Sequence, residues 1–191
     1  MSEIDSIRSV LRESAEVKQA TAERNAEDIA EAVDMIATSL KEGGKVIICG
    51  NGISAADGQH MACSLRVRFK KDRRCLPVIA LGTDPTYMTA AANDFGFERV
   101  FSRAVEGLAD EGDILIGIST SGNSGNVIEA ANMAHSKRAK VIGLTGKTGG
   151  KLKGIADLNI IIPSNSSPRI QETHRAVMNI LCELVEARLF P

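Results

Sequence analysis

Aromatic residues are scarce in this sequence of 191 residues, which has no tryptophan, one tyrosine and five phenylalanines. Since hydrophobic residues still make up 43 %, the core of the fold must be largely aliphatic. An excess of charge of one sign is absent as well, because 23 Lys and Arg residues face 24 Asp and Glu residues. This balance does not support direct nucleic-acid binding, which requires a basic face. The basic patch at residues 66–74 is the one exception, and it is typical of a solvated helix end and loop.

Long apolar runs and paired cysteine motifs are also missing. No apolar stretch reaches the length of about 20 residues that a membrane-spanning helix needs. The first residues, Met1 to Asp5, do not have the composition of a signal peptide. The cysteines form no C-x-x-C pair; they are Cys49, Cys63, Cys75 and Cys182. We therefore expect a protein of the reducing cytoplasm that does not associate with membranes.

Short apolar runs alternate with helical periodicity from residue 43 onwards. The predicted strands are Val46–Cys49, Val78–Leu81, Ile114–Ile118, Val141–Leu144 and Leu158–Ile162. Their uniformly apolar character is typical of strands that are buried on both faces. The predicted helices lie near 54–68, 85–92, 98–108, 124–136 and 168–188. This alternation predicts an α/β fold with a five-stranded parallel doubly wound sheet, for which the flavodoxin-like strand order is the default.

Residues 1–42 show helical periodicity without any strand candidate. Apolar residues recur at helical spacing over 4–11 and again over 29–40, which predicts two N-terminal helices. Gly43 and Gly44 end the second of them. The length favours one domain, residues 1–191, in which an α/β core over 43–191 follows this helical segment.

Hydroxyl side chains and glycines gather directly after the predicted strands, where doubly wound sheets bind their ligands. The segment STSGNS after the third strand leads into a helix, whose first N–H groups are unpaired and attract phosphate oxygens. A helix cap would need only one hydroxyl. The segment therefore predicts a phosphate site at four hydroxyls, those of Ser119, Thr120, Ser121 and Ser124. The Gly50–Ser54 loop is neither a Walker loop nor a dinucleotide fingerprint.

Six segments carry a resemblance over nearly the whole chain: CGNGISAADGQH, LPVIAL, NDFGFERVFSRAVE, GDILIGISTSGNSGNVIEA, LTGKTGGK and PRIQETH. Together they resemble the phosphoheptose isomerases, sugar isomerase (SIS) domain proteins that convert sedoheptulose 7-phosphate to a heptose 7-phosphate. The resemblance implies a homotetramer in which the N-terminal helical segment packs between subunits. It implies that the four hydroxyls hold the phosphate of a sugar phosphate. It also implies that the sugar is lined by Asn51, Gly52, Ser54, Arg68, Asp94 and Gln171.

The catalytic positions of the resembled family are only half filled in this sequence. Aldose–ketose isomerisation moves a proton between adjacent carbons and needs a base and an acid. The resemblance implies a His-x-x-x-Glu pair whose Glu is the base, and a later Gln and His whose His is the acid. His60 and Gln171 are present, but Ser64 and Asn179 occupy the Glu and His positions. We expect Ser64 and Asn179 to be inactive in proton transfer, and His60 to be the one catalytic residue retained.

Zinc is implied by the resemblance as well, because the four side chains of the family pattern can also hold that ion. His60 and Gln171 alone are too few for a tight zinc site. We therefore expect no metal or other cofactor unless further ligands replace the missing ones. Cys63, three residues after His60, is a nearby candidate, but it is more typical of a small packed residue. Glu172 and His174 lie beside Gln171, but the resemblance implies that they match positions in active relatives and so are not replacements.

A second branch of the family, the DnaA initiator-associating proteins, resembles this sequence at the same two catalytic positions and has a bulkier residue than Gly at the position of Ile53. That resemblance implies a tetramer that binds the replication initiator DnaA. Three functions stay open at this point. The chain is a sugar-phosphate-binding regulator of this kind, a sedoheptulose 7-phosphate isomerase with altered catalytic residues, or a subunit without activity of its own. Ser64 and Asn179 distinguish the first from the second.

Overall fold

The computed structural model describes residues 2–191 and contains one five-stranded parallel sheet. Its strands are β1 (Val46–Gly50), β2 (Val78–Ala80), β3 (Ile114–Ser119), β4 (Lys140–Gly146) and β5 (Leu158–Ile162). They lie in the order β2-β1-β3-β4-β5, with β1 and β3 as neighbours. The predicted five-stranded sheet with flavodoxin-like order is therefore confirmed.

Helices cover both faces of the sheet. They are α1 (Glu3–Lys41), α2 (Ile53–Arg66), α3 (Pro85–Phe95), α4 (Val100–Leu108), α5 (Gly125–Ser136) and α6 (Ser167–Leu189). Two short 3₁₀ helices lie at Phe97–Arg99 and Lys151–Gly154. Side chains of α1, α2 and α6 form one hydrophobic core with one face of the sheet. Those of α3, α4 and α5 form a second core with the other face.

Successive residues of each strand explain why the predicted strands are uniformly apolar. Ile47 and Leu115 join the core under α3, α4 and α5, whereas Ile48 and Ile116 join the opposite core. All four are at most 1 % exposed. Burying one such side chain contributes about 1.5–3 kcal/mol, so both faces of each strand favour apolar residues.

The N-terminal segment corrects one prediction, because α1 is a single helix of 39 residues and not two helices. It begins with a capping box, in which Asp5 N–H donates to Ser2 Oγ at 3.1 Å and Ser2 N–H donates to Asp5 Oδ2 at 3.2 Å. No glycine or proline interrupts residues 3–41, and the stretch between the two apolar groups consists largely of Ala, Glu, Lys, Gln and Arg, which favour helix. The interruption of the apolar pattern therefore does not mark an end of the helix.

The two halves of α1 have different surroundings. Burial begins at Thr21, and the second half packs against α6 and β5 through Ile29, Val33 and Ile36. In the first half, large apolar side chains remain exposed, including Ile7 at 56 % and Leu11 at 66 %. Within residues 2–191, no helix combines the length and the apolar composition needed to cross a membrane.

Candidate functional site

The strand order reverses between β1 and β3, and their carboxyl ends therefore open a crevice in the edge of the sheet. The chain leaves β1 into α2, which lies on one face of the sheet, and leaves β3 into α5, which lies on the other. The Gly50–Ser54 loop and the Ser119–Ser124 segment therefore meet at this crevice. We call Ser119–Ser124 the hydroxyl loop.

A reciprocal amide pair joins the two sides of the crevice. Asn51 Nδ2 donates to Asn126 Oδ1, and Asn126 Nδ2 donates to Asn51 Oδ1, both at 2.8 Å. Asn126 is buried in the first turn of α5, and Ser54 is buried in the first turn of α2. This pair fixes the starts of α2 and α5 relative to each other.

The hydroxyl loop is ordered by its own side chains. Ser119 Oγ and Ser124 Oγ are 2.9 Å apart, and the Gly122 N–H donates to Ser119 Oγ at 3.1 Å. The Asn123 N–H donates to Ser121 Oγ at 3.2 Å. Ser124 is the N-cap residue of α5, but its side chain makes no capping bond to any described residue. The hydroxyls therefore do not serve as a simple helix cap, and those of Thr120, Ser121 and Ser124 remain partly exposed.

Two glycine-rich segments support one another behind this loop. Gly122 has a φ of +66°, which favours glycine, and a Cβ there would overlap the carbonyl oxygen of Gly149. The N–H groups of Leu152 and Lys151 donate to Gly122 O and Asn123 Oδ1, each at 3.0 Å. The loop after β4 thereby holds the hydroxyl loop in place, through close contact between the two backbones and through these two N–H donors.

A second group of predicted site residues lies on α2 and α6, which pack against each other. We call His60, Ser64, Gln171 and Asn179 the α2–α6 cluster. Asn179 Oδ1 lies 3.1 Å from His60 Nε2, so the amide of Asn179 and the imidazole of His60 are within hydrogen-bond distance. Ser64 follows His60 by one turn of α2, and Gln171 precedes Asn179 on α6. All four side chains are partly buried.

His60 of the cluster lies further along α2 than the crevice. At a rise of about 1.5 Å per residue, His60 is about 10 Å along α2 from its start at the crevice.

Two further predicted site residues, Arg68 and Asp94, belong neither to the hydroxyl loop nor to the α2–α6 cluster. Arg68 belongs to the connection between α2 and β2, which returns the chain to the amino end of the sheet. The fold therefore does not bring Arg68 to the hydroxyl loop of its own chain. Asp94 lies exposed near the end of α3 and accepts from Asn93 Nδ2 at 2.8 Å. Glu98, shortly after it, lies against Gly125 at the start of α5, so Asp94 is on the rim of the crevice.

Comparison with known proteins identifies the family. A family model described as the SIS domain matches residues 11–146. The chain is 48 % identical to a phosphoheptose isomerase of Geobacter sulfurreducens, over 98 % of this chain and 100 % of that protein. It is 51 % identical to a phosphoheptose isomerase of Aquifex aeolicus, over 96 % of each chain. The solved structure of a phosphoheptose isomerase from Francisella tularensis superposes with a TM-score of 0.95, at 37 % identity, over 98 % of this chain and 100 % of that one.

The chain belongs to the phosphoheptose isomerase family of SIS domain proteins. Both the predicted family and the predicted fold are therefore confirmed. In this member of the family, the hydroxyl loop holds four hydroxyl side chains, whereas Ser64 and Asn179 give the α2–α6 cluster no carboxylate and no second imidazole.

The titratable side chains nearest to the cluster along α2 and α6, which are His174, Glu172 and Cys63, are engaged elsewhere in this family member. His174 is fully buried, with Nε2 2.9 Å from Thr145 O. Burial lowers the pKa of His174, and the Thr145 carbonyl and Asp57 only partly oppose this. Glu172 forms an ion pair with Arg169 at 2.8 Å. Cys63 lines a cavity beside the edge strand β2 instead of facing α6.

The donor set of this family member does not match a zinc site. Among residues 2–191, no three His, Cys, Asp or Glu side chains are grouped so that they could hold a metal ion. The Nε2 nitrogen of His60 already faces the amide of Asn179. Two protein ligands, His60 and Gln171, fall short of the three or four that zinc sites use.

Several residues of the site were not anticipated from the sequence. The partner of Asn51, Asn126, follows the hydroxyl loop directly, but only the fold shows that the two amides meet. Asp57 of α2 pairs with Arg175 of α6, where Arg175 Nε donates to Asp57 Oδ1 at 2.8 Å. Gln171, Arg175 and Asn179 are spaced four residues apart and therefore lie on one side of α6. This spacing is the sequence signal that could have identified Arg175 as a site residue.

Proposed function

We infer that this member of the phosphoheptose isomerase family binds a sugar phosphate of the heptose 7-phosphate type and does not isomerise it at the rate of a complete acid–base pair. The observation that carries this is the contact of His60 with Asn179, beside Ser64. The cluster that should move the proton holds one imidazole, one hydroxyl and two amides.

Support for binding comes from the crevice. Three partly exposed hydroxyls and the start of α5 face the space beyond β3, and the Asn51–Asn126 pair holds the neighbouring loop in place. Phosphate oxygens accept from hydroxyls and from helix N-terminal N–H groups. Asn51, Gly52, Ser54 and Asp94 then line the sugar. Arg68 would serve the site of a neighbouring copy, since it lies away from its own.

Support for weak catalysis comes from side-chain chemistry. Transfer of a proton between adjacent sugar carbons requires a base, and general acid–base groups contribute typically about 10²–10⁴ in rate. A serine hydroxyl without an activating partner is not a base at neutral pH, and the Asn179 amide does not titrate. The aldose–ketose isomerisation of sedoheptulose 7-phosphate remains the reaction to test, because the full-length relatives are named for it.

Regulation of replication is the second candidate function. Ser64 and Asn179 are the residues that the DnaA initiator-associating branch carries by resemblance, and this favours binding to DnaA over turnover. We include in the proposal a homotetramer, since the apolar side chains of the first half of α1 are exposed in one copy. The proposal also includes a cytoplasmic location, because the four cysteines are all free among residues 2–191 and a reducing compartment keeps thiols in this state.

One set of measurements with purified protein tests the proposal. Calorimetry should detect binding of sedoheptulose 7-phosphate, while NMR of the same mixture should show little conversion. Light scattering should give the mass of four chains, and immobilised DnaA should retain the protein. Absence of binding heat at millimolar ligand would refute the binding function. Rapid conversion would establish an isomerase with altered residues instead.

A further inference from the structure

The ion pair between Asp57 and Arg175 lies directly beside the α2–α6 cluster. Asp57 is almost completely buried, with its side chain 4 % exposed, whereas the side chain of Arg175 is 42 % exposed. Arg175 donates to the same carboxylate oxygen, Asp57 Oδ1, through Nε and Nη2. Asp57 thus binds one edge of the guanidinium from the buried side of the contact.

The position of this pair along the helices places it on the path of the ligand. Asp57 precedes His60 on α2 by about one turn, and Arg175 precedes Asn179 on α6 by about one turn. Both helices begin at the carboxyl edge of the sheet, so the Asp57–Arg175 contact lies between the hydroxyl loop and the His60–Asn179 contact. A sugar chain that extends from one to the other passes Arg175.

The second edge of the guanidinium is available to a ligand. Arg175 Nη1 has no hydrogen-bond partner among residues 2–191, and nearly half of the side chain is exposed. The charged group that faces it from α2 is Asp57, which is already satisfied by Arg175, and the members of the cluster carry no carboxylate. A planar guanidinium held by a buried carboxylate is well suited to bind a second carboxylate through parallel N–H donors.

We propose that Arg175 is a specificity-determining residue, and that the preferred ligand is a phosphorylated sugar acid, with its phosphate at the hydroxyl loop and its carboxylate at Arg175. The proposal rests on the sugar-phosphate-binding function above and adds the second acidic group.

The test compares two probes that differ only in the group at the end opposite the phosphate. These are 6-phosphogluconate, with a carboxylate, and glucitol 6-phosphate, with a hydroxymethyl group. Calorimetry on the unmodified protein should show tighter binding of 6-phosphogluconate by about 10-fold or more, the scale of one charge-assisted hydrogen bond. Arg175→Met should abolish this preference while glucitol 6-phosphate binds as before.

Three further variants keep the test decisive. Since Arg175→Met leaves Asp57 buried without a partner, the double variant Asp57→Asn with Arg175→Met provides a foldable version with the same expected loss. Asp57→Asn alone should strengthen the preference, because it frees the cation. Arg188→Met is the matched control, because Arg188 pairs with Asp34 on the surface, away from the crevice.

The outcomes separate the two claims. If the unmodified protein binds both probes equally and Arg175→Met changes neither affinity, Arg175 does not determine specificity, and sugar-phosphate binding stands. If neither probe nor sedoheptulose 7-phosphate binds, both claims fail. A preference that persists in the double variant would also refute the role of Arg175.

Discussion

The hydroxyl loop and the α2–α6 cluster are two ends of one candidate site, but they are built in different ways. The hydroxyl loop depends on backbone conformation, since Gly122 must adopt a positive φ and contacts Gly149 without any Cβ between them. The cluster depends on a few partly buried side chains of α2 and α6, which pack against each other. We therefore expect substitutions of Ser64 and Asn179 to leave the fold undisturbed. Phosphate binding and proton transfer are separable in such a design.

The interactions that hold the hydroxyl loop and the α2–α6 cluster in place differ as well. The end of α2 is anchored by Glu186 of α6, which is 1 % exposed and accepts from the N–H groups of Phe69, Lys70 and Lys71 at 2.7–2.9 Å. Arg73 Nε donates to the same carboxylate at 3.0 Å, and Arg73 Nη2 donates to Ser64 O at 3.0 Å. Buried charge thus fixes the cluster, whereas neutral backbone contacts fix the hydroxyl loop.

The largest effect is expected from restoring the acid–base pair. Ser64→Glu combined with Asn179→His should raise the rate of sedoheptulose 7-phosphate isomerisation by about 10²–10⁴, because the two groups act as a unit. NMR of the sugar measures the rate. The affinity for inorganic phosphate should stay unchanged, since the hydroxyl loop is untouched.

Ser64→Gln combined with Asn179→His is the matched control, because glutamine has the shape of glutamate without its basicity. This control should stay at the parental rate. A parental protein that already turns over rapidly would contradict the proposed separation of binding and chemistry. Ile53, 58 % exposed at the start of α2, is the next residue to change to Gly if the gain is small.

Next in size is the loss of the charged anchor. Glu186→Gln should lower the free energy of unfolding by about 3 kcal/mol, because it leaves Arg73 buried without its partner. Thermal or urea unfolding measures the change. Glu183→Gln is the control, since Glu183 pairs with Lys70 on the exposed side of α6 and should contribute less than about 1 kcal/mol. Equal effects of the two substitutions would show that the anchor at Glu186 is not special.

The parts of this molecule that were predictable are those determined by local sequence. The strands were predictable because burial on both faces demands uninterrupted apolar residues, and the hydroxyl loop because its four hydroxyls are adjacent along the chain. The two-helix prediction for residues 1–42 was wrong because a break in apolar periodicity does not end a helix whose intervening residues favour helix, and α1 continues through that stretch. The pairs Asp57–Arg175 and Glu186–Arg73 were out of reach, since each joins elements that are distant in sequence and meet only after the helices pack.

A smaller effect is expected within the hydroxyl loop. Ser121→Ala should weaken binding of a sugar phosphate by about 1–2 kcal/mol, the scale of one hydrogen bond to a charged group. Calorimetry with sedoheptulose 7-phosphate and with inorganic phosphate should show the same loss for both ligands, because both use this end of the site. Ser136→Ala, at the far end of α5, should change neither affinity. A loss confined to the sugar phosphate would place Ser121 at the sugar instead.

The smallest effect concerns how the free energy of unfolding depends on pH. It distinguishes His174, which lies behind the hydroxyl loop, from Glu186, which anchors the end of α2. His174 contacts Thr145, the neighbour of Ser119 in the sheet, and burial lowers its pKa. Below its ordinary pKa of about 6.5, the unfolded chain therefore binds a proton that the folded chain refuses, so stability falls as the pH falls, by up to about 1.4 kcal/mol per pH unit.

Glu186 responds only at lower pH. Burial raises its pKa, but the three backbone N–H donors and Arg73 outweigh this, so its pKa lies below the ordinary value. Its contribution is present above about pH 4.5 and is lost as the pH falls through the lowered value. Urea unfolding between pH 7.5 and 5.5 should therefore give a shallower slope for His174→Asn than for the parent, while Glu186→Gln should keep the parental slope at lower overall stability. If His174→Asn has the parental slope, this buried imidazole takes up its proton in the folded protein. That result would contradict the claim that a neutral His174 lies behind the hydroxyl loop.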